Sequence, residues 1–118
     1  MKILIVDDCE IQRSIIMEML KSNKMNISTF SEAENGEKAL KIIEKIDFDF
    51  IITDIQMPCM DGVCLLREII KRKIAHKTKI IIMSAEIESF NFTDTEREKI
   101  FKIIKKPFSM KELTDLIN

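Results

Sequence analysis

The sequence predicts an α/β protein built on a five-stranded parallel sheet with helices on both faces, and three observations carry that prediction. Five short runs with strand character alternate with helix-length amphipathic stretches from end to end. Three of those runs are continuously apolar, one of them up to a final threonine, as expected of strands covered on both faces. No repeat, proline-rich linker or low-complexity tract interrupts the alternation. At 118 residues the chain suffices for one core and not for two, so residues 1–118 read as one domain.

The first strand is Ile3 to Val6, an unbroken apolar run that belongs in the middle of the sheet. The helix after it is set by the spacing of Ile15, Ile16, Met19 and Leu20, which face the core. Ile27 to Ser31 alternates apolar and polar residues, the pattern of a half-exposed edge strand. Ala39, Leu40 and Ile43 mark the second helix, Phe50 to Thr53 the third strand, and Val63, Leu66, Ile69 and Ile70 the third helix. Ile80 to Met83 is the fourth strand and again central. Glu86 to Phe92 lacks clean periodicity, whereas Thr93 to Glu96 has the form of a capping box, so the fourth helix starts late after a long loop. Phe101 to Ile104 alternates and forms the other edge. Ser109 to Glu112 opens the last helix with a second capping box, and Met110, Leu113 and Ile117 point inward.

Composition excludes several classes. With 19 basic against 20 acidic residues, the chain offers no basic field for direct binding of nucleic acid. The opening MKILIVDD is broken by two aspartates and is neither signal peptide nor membrane span, so no membrane contact is expected and the cytoplasm is the default location. Cys9, Cys59 and Cys64 lack metal-ligand spacing and read as free thiols, Cys9 as a small buried hydrophobe rather than a redox site. His76, the single histidine, sits in a connection far from the acidic residues and reads as surface. The 8 methionines, Met17, Met19 and Met83 among them, read as adaptable core fillers.

The chemistry lies at the strand ends. Asp7 and Asp8 follow the first strand, Asp54 the third, Ser84 the fourth and Lys106 the fifth, all at the carboxyl rim where open α/β sheets bind ligands. Each residue alone has an ordinary reading as a cap, a loop residue or a solvated lysine. Recurrence of a chemically useful type at strand end after strand end does not. Two unit charges about 4 Å apart repel by roughly 4 kcal/mol at an effective dielectric near 20, so three neighbouring carboxylates require a cation. Oxygen donors without His or Cys favour a hard ion, Mg²⁺ first and Mn²⁺ as a substitute, and such an ion joins carboxylates to phosphate. A carboxylate beside it can act as nucleophile toward phosphorus, and Asp54 is the natural choice.

Four motifs in order, ILIVDD at the start, DIQMPCMDG around Asp54, MSA after the fourth strand and KKPF before the last helix, make the whole chain resemble a receiver domain of two-component response regulators, chemotaxis-regulator-like. The resemblance implies a flavodoxin-like, doubly wound three-layer α/β/α fold with strand order 2-1-3-4-5. It implies that Asp54 accepts a phosphoryl group from a sensor histidine kinase or histidine phosphotransfer protein. Asp8, Asp54 and the backbone carbonyl of Gln56 would ligate Mg²⁺, with Asp7 acting through water. Ser84 and the amide of Ala85 would meet the phosphoryl oxygens, Lys106 would pair with them, Gly62 would ease the adjacent turn, and Lys106-Pro107 would be cis. The output would be a change of shape read by a downstream effector protein or domain, without turnover of a substrate.

The chain departs from that pattern in two places. The fifth-strand position that often carries Tyr or Phe and switches together with Ser84 is Ile103, while Phe101, two residues earlier, lies on the same face by strand period. Lys99-Ile100 replaces the usual Gly-Ala before that strand.

Three rival readings exist. A small-molecule phosphatase working through an aspartyl-phosphate wants a second acid two residues after the nucleophile, where Gln56 stands. A flavin or nucleotide carrier wants a phosphate-binding loop after the first strand, where Asp7-Asp8-Cys9 repels phosphate. A degenerate receiver serving only as an interaction module would not need Asp8, Asp54, Ser84 and Lys106 together. Met1 directly before the first strand favours a native amino terminus, in a stand-alone protein or the first domain of a longer regulator.

Overall fold

The computed structural model describes residues 1–23, 26–85 and 92–117. Five strands, β1 (Lys2–Val6), β2 (Thr29–Ala33), β3 (Phe50–Asp54), β4 (Lys79–Ser84) and β5 (Ile100–Lys105), alternate with five helices, α1 (Glu10–Ser22), α2 (Gly36–Ile43), α3 (Gly62–Arg72), α4 (Asp94–Lys99) and α5 (Met110–Ile117). All four strand pairings are parallel, in the order β2-β1-β3-β4-β5. The alternating runs are the edges and the apolar runs the centre, as their patterns require.

Because side chains alternate across a strand, each apolar run feeds two cores. Leu4, Val6, Ile51, Ile80 and Ile82 meet Ala39, Leu40 and Ile43 of α2 and Leu65, Leu66 and Ile69 of α3 on one face. Ile3, Ile5, Ile52, Ile81 and Met83 meet Ile16 and Leu20 of α1 and Leu113 and Ile117 of α5 on the other. The result is three layers, with α1 against α5 and α2, α3 and α4 in succession.

Several sequence expectations shift. The second strand lies two residues later than Ile27 to Ser31, because Ser28 N–H donates to the Met1 carbonyl at 2.8 Å and ladder pairing starts at Lys2 with Thr29. It then runs on to Ala33, whose carbonyl accepts from Asp7 N–H at 3.0 Å. In α1 only Ile16 and Leu20 are buried, one i, i+4 stripe, and Ile15, a residue round the helix from Ile16, is 44% exposed. Met110 is likewise not inward: it lies beside Ser22 of α1 and is 43% exposed, leaving Leu113 and Ile117 to anchor α5.

The late start of α4 holds. Thr93 and Glu96 exchange both bonds of a capping box, and Glu96 is also paired with Arg67 of α3. The Thr93 amide chiefly, and then Arg67, hold the Glu96 carboxyl below the usual carboxylate range. The segment from Glu86 up to Phe92 lies outside the described residues apart from Phe92 itself, which packs in the α2–α3 core. At Ser109 the hydroxyl accepts from Glu112 N–H at 3.1 Å, while the Glu112 carboxylate takes the hydroxyl itself.

β5 carries the largest local departure. Ile80 pairs with Ile100 but Ile81 pairs with Lys102, so Phe101 is the extra residue of a bulge. The bulge resets the side-chain alternation. Ile103 packs against the α2–α3 core, whereas Phe101 meets Phe50 edge-on with ring centroids 6.3 Å apart, under the Lys79 ammonium. Phe101 and Ile103 therefore do not share a face, contrary to strand period, and Phe101 cannot stand in for an aromatic at position 103.

Candidate functional site

Parallel strands end together, and here the common end delivers the chemistry. Asp54 is the last residue of β3 and Ser84 the last of β4, while Asp7 follows β1 and Lys106 follows β5 directly. The rim is pinned by backbone bonds: Ile55 N–H to the Met83 carbonyl at 3.2 Å, and Lys106 N–H to the Ser84 carbonyl at 2.8 Å. The Lys106-Pro107 peptide is cis.

The carboxylates of Asp7, Asp8 and Asp54 each place one oxygen within 4.8 Å of the others. Lys106 Nζ donates to Asp54 Oδ2 at 2.9 Å and lies 3.8 Å from Asp7 Oδ2. One ammonium against three carboxylates leaves the pocket short of positive charge. The deficit is concentrated on Asp7, which is 1% exposed. Its Oδ1 accepts from Cys9 N–H at 3.0 Å, but its buried Oδ2 has no hydrogen-bond donor among the described residues. Burial foremost, and the Asp54 charge, push its carboxyl above the usual carboxylate range, against the opposing pull of the Cys9 amide and Lys106.

Among the described residues, a buried carboxylate oxygen that has no hydrogen bond and only a 3.8 Å ion pair to Lys106, beside two more carboxylates and with no imidazole or thiol in the cluster, fits a hard divalent cation. Asp7, Asp8 and Asp54 are the residues able to hold it.

The raised Asp7 carboxyl has a measurable consequence. An acid whose folded form favours the proton weakens the fold once ionised, so the penalty is absent below the ordinary carboxylate range and complete above the raised value. Asp7→Asn is expected to stabilise the metal-free protein at pH 7 by about 1 kcal/mol, roughly 4 °C in Tm, chiefly because no charge is then buried and secondarily through relief of repulsion from Asp54. The gain should fade as pH falls through the carboxylate range, and thermal unfolding with chelator across pH 4–7 checks it.

Ser84 is buried, Ala85 is exposed beside it, and Gln56 is exposed two residues beyond Asp54. Ile103 faces Ile82 across the ladder, half-buried. His76 is exposed, and so are Cys9, Cys59 and Cys64, so Cys9 is not the buried hydrophobe its type suggests.

Two contributors, Gly36 and Arg13, escaped sequence reading, and a third, Gly62, was found but with another role. Gly62 does not ease a turn through φ, since neither glycine has positive φ and Cys59, at φ 68°, makes the left-handed step instead. Gly62 provides room: a Cβ there would sit 2.3 Å from the Asp54 carbonyl oxygen. Gly36 does the same for Met60, whose carbonyl accepts its N–H at 2.9 Å. Arg13 donates from Nη1 to the Asp7 carbonyl at 2.6 Å. Its signal was present, a cation in the first turn of a helix where the dipole disfavours one.

With this geometry in hand, comparison with known proteins gives one answer. The family model for the response regulator receiver domain matches residues 3–118. The chain is 31% identical over 118 residues to chemotaxis protein CheY-3 of Vibrio cholerae serotype O1, covering all of this chain and 89% of that one. It is 33% identical over 117 residues to chemotaxis protein CheY of Bacillus subtilis, covering 99% and 94%. Among solved structures, the response regulator TrrA of Thermotoga maritima in complex with Mg(2+)-BeF superposes with a TM-score of 0.81 at 31% identity, covering 98% of this chain and 95% of that one.

Proposed function

The chain belongs to the response regulator receiver domain family, whose members are signalling phosphoacceptors and not turnover enzymes, and from that premise we propose that Asp54 receives the phosphoryl group. The observation that carries the proposal is the placement of Asp54: one oxygen bonded to Lys106 at 2.9 Å, within a pocket where two further carboxylates create a site for a cation. The donor is a phosphohistidine of a sensor kinase or phosphotransfer protein, for the chain's own histidine is elsewhere on the surface.

In the step proposed, an Asp54 carboxylate oxygen forms a bond to phosphorus as the bond from phosphorus to the donor imidazole nitrogen breaks, and the imidazole leaves with the electron pair. Mg²⁺, which TrrA binds together with BeF, supplies neutralisation of charge on the transferring oxygens when bound. Asp7 and Asp8 with Asp54, and the carbonyl of Gln56, would hold the cation. Lys106 releases Asp54 Oδ2 and pairs with the incoming phosphoryl oxygens, which removes an ammonium from the nucleophile as the anion arrives. The Ser84 hydroxyl and the Ala85 amide complete the donor set at the adjacent strand end. Rearrangement of β4 and β5 around Ser84 and Ile103 then carries the message to an effector protein or domain.

Incubation with Mg²⁺ and acetyl phosphate, followed by intact mass, tests the assignment. The expected result is one added phosphoryl group on the wild type, none with chelator and none on Asp54→Asn. Undiminished addition to Asp54→Asn would remove Asp54 from its role, and addition to nothing at all would favour a module that only binds partners.

A further inference from the structure

Among the described residues, Arg13 is the charged group that touches the acidic strand end and for which the phosphoryl chemistry has no use. Its side chain is only 14% exposed and its guanidinium is held from two sides, Nη1 to the Asp7 carbonyl at 2.6 Å and Nε to Glu32 Oε1 of β2 at 3.0 Å. Asp7 is thereby fixed at three points. Its N–H donates to Ala33, its carbonyl accepts from Arg13, and its Oδ1 accepts from Cys9 N–H at 3.0 Å. The oxygen left over is the buried, unbonded Oδ2.

We infer that Arg13 is a positioning residue for the divalent cation, holding the Asp7 backbone so that Asp7 Oδ2 is aimed into the pocket shared with Asp8 and Asp54. The inference rests on reading that pocket as the cation site. The planar fork is what the task needs: Nε and Nη1 point to two acceptors at a fixed angle, which the single ammonium of lysine cannot reproduce. The location is costly for a cation, because the first turn of α1 presents the positive end of the helix dipole, and Arg13 sits there nonetheless. Charge alone predicts the opposite of positioning. A guanidinium beside a cation site weakens binding by repulsion, so a variant that lost only the charge effect would bind Mg²⁺ more tightly.

Arg13→Lys keeps the charge and most of the stem and removes the fork. The Mg²⁺ dissociation constant, measured by calorimetry on the folded full chain, is expected to rise about tenfold, the effect usual for loss of a group that orients a metal ligand. In the metal-free protein the Cys9 amide proton resonance is expected to move toward its unbonded position as Asp7 loosens. Glu32→Gln, which keeps an acceptor for Nε, is expected to leave both readings near wild type. A lowered Tm with unchanged Mg²⁺ affinity would mark Arg13 as a structural strap and overturn the inference, as would tighter binding. No saturable Mg²⁺ binding by the wild type itself would overturn the cation reading, and this inference with it, whereas wild-type binding matched by Arg13→Lys overturns the inference alone.

Discussion

Gly62→Ala is expected to cost about 3 kcal/mol of stability, a drop of roughly 12 °C in Tm for a domain of this size. The added Cβ would sit 2.3 Å from the Asp54 carbonyl oxygen and 3.0 Å from Ile55 Cα. Both obstacles are backbone, so no rotamer change relieves them. Gly62 is the first residue of α3, and its N–H donates to the Ile55 carbonyl at 2.7 Å, which forbids the helix from simply backing away. The clash falls on the peptide that bears the proposed phosphoacceptor, so Mg²⁺ binding should weaken along with stability. Gly36→Ala provides the comparison. Its nearest obstacle is Met60 Cγ at 2.6 Å, the flexible part of a side chain, although the Met60 carbonyl follows at 2.9 Å. A loss of about 1 kcal/mol is expected there. Denaturant melts of the two variants side by side check the order; equal losses would mean that the approach of α3 to Asp54 yields as easily as the Met60 side chain does at Gly36.

Lys106→Met is expected to lower metal-free stability by about 2–3 kcal/mol and, in the same protein, to tighten Mg²⁺ binding. The two effects share one cause. Lys106 Nζ is the counter-ion of Asp54 at 2.9 Å and the nearest cation to Asp7 at 3.8 Å, in a place where Lys106 is a quarter exposed and the carboxylates much less. Methionine retains the stem and its packing, so what is lost is the charge. Three carboxylates then face one another without an ammonium, and the divalent ion no longer competes with one. Melts with chelator and with saturating Mg²⁺ should show a wider gap for Lys106→Met than for the wild type. A narrower gap would show that Lys106 assists the cation rather than competing with it.

Much of this was legible because hydrophobic pattern and strand-end chemistry are written in local residues. The apolar runs Ile3–Val6 and Ile80–Met83 announce central strands, the alternating ones announce edges, and the sheet order agrees with both. Asp7, Asp8, Asp54 and Lys106 could be placed on one rim because parallel strands share an end, and the structure brings all four together. What could not be read depends on distances between segments. The start of β2 is set by Ser28 bonding to Met1. The facing of Phe101 is set by a single extra residue in the β4–β5 ladder, which reverses an alternation that strand period alone extends unbroken. Ile15 and Met110 have the character of core residues but lie beyond the stripe their helices bury, and only packing decides which of several apolar positions wins. Gly62 and Arg13 act through contacts of 2–3 Å with a neighbouring element. Arg13 belongs to none of the four motifs, and the motif that ends at Gly62 does not show that its role is to leave room beside the Asp54 carbonyl.

On this reading, three carboxylates from two strand ends jointly hold one divalent ion. A Mg²⁺ titration followed by thermal unfolding, run in parallel on the wild type and on Asp7→Asn, Asp8→Asn and Asp54→Asn, tests it most directly. A saturable rise in Tm is expected for the wild type and a weaker rise for every variant, with Asp7→Asn starting from a higher metal-free Tm than the wild type. The same rise in all four proteins would place the ion elsewhere and contradict it.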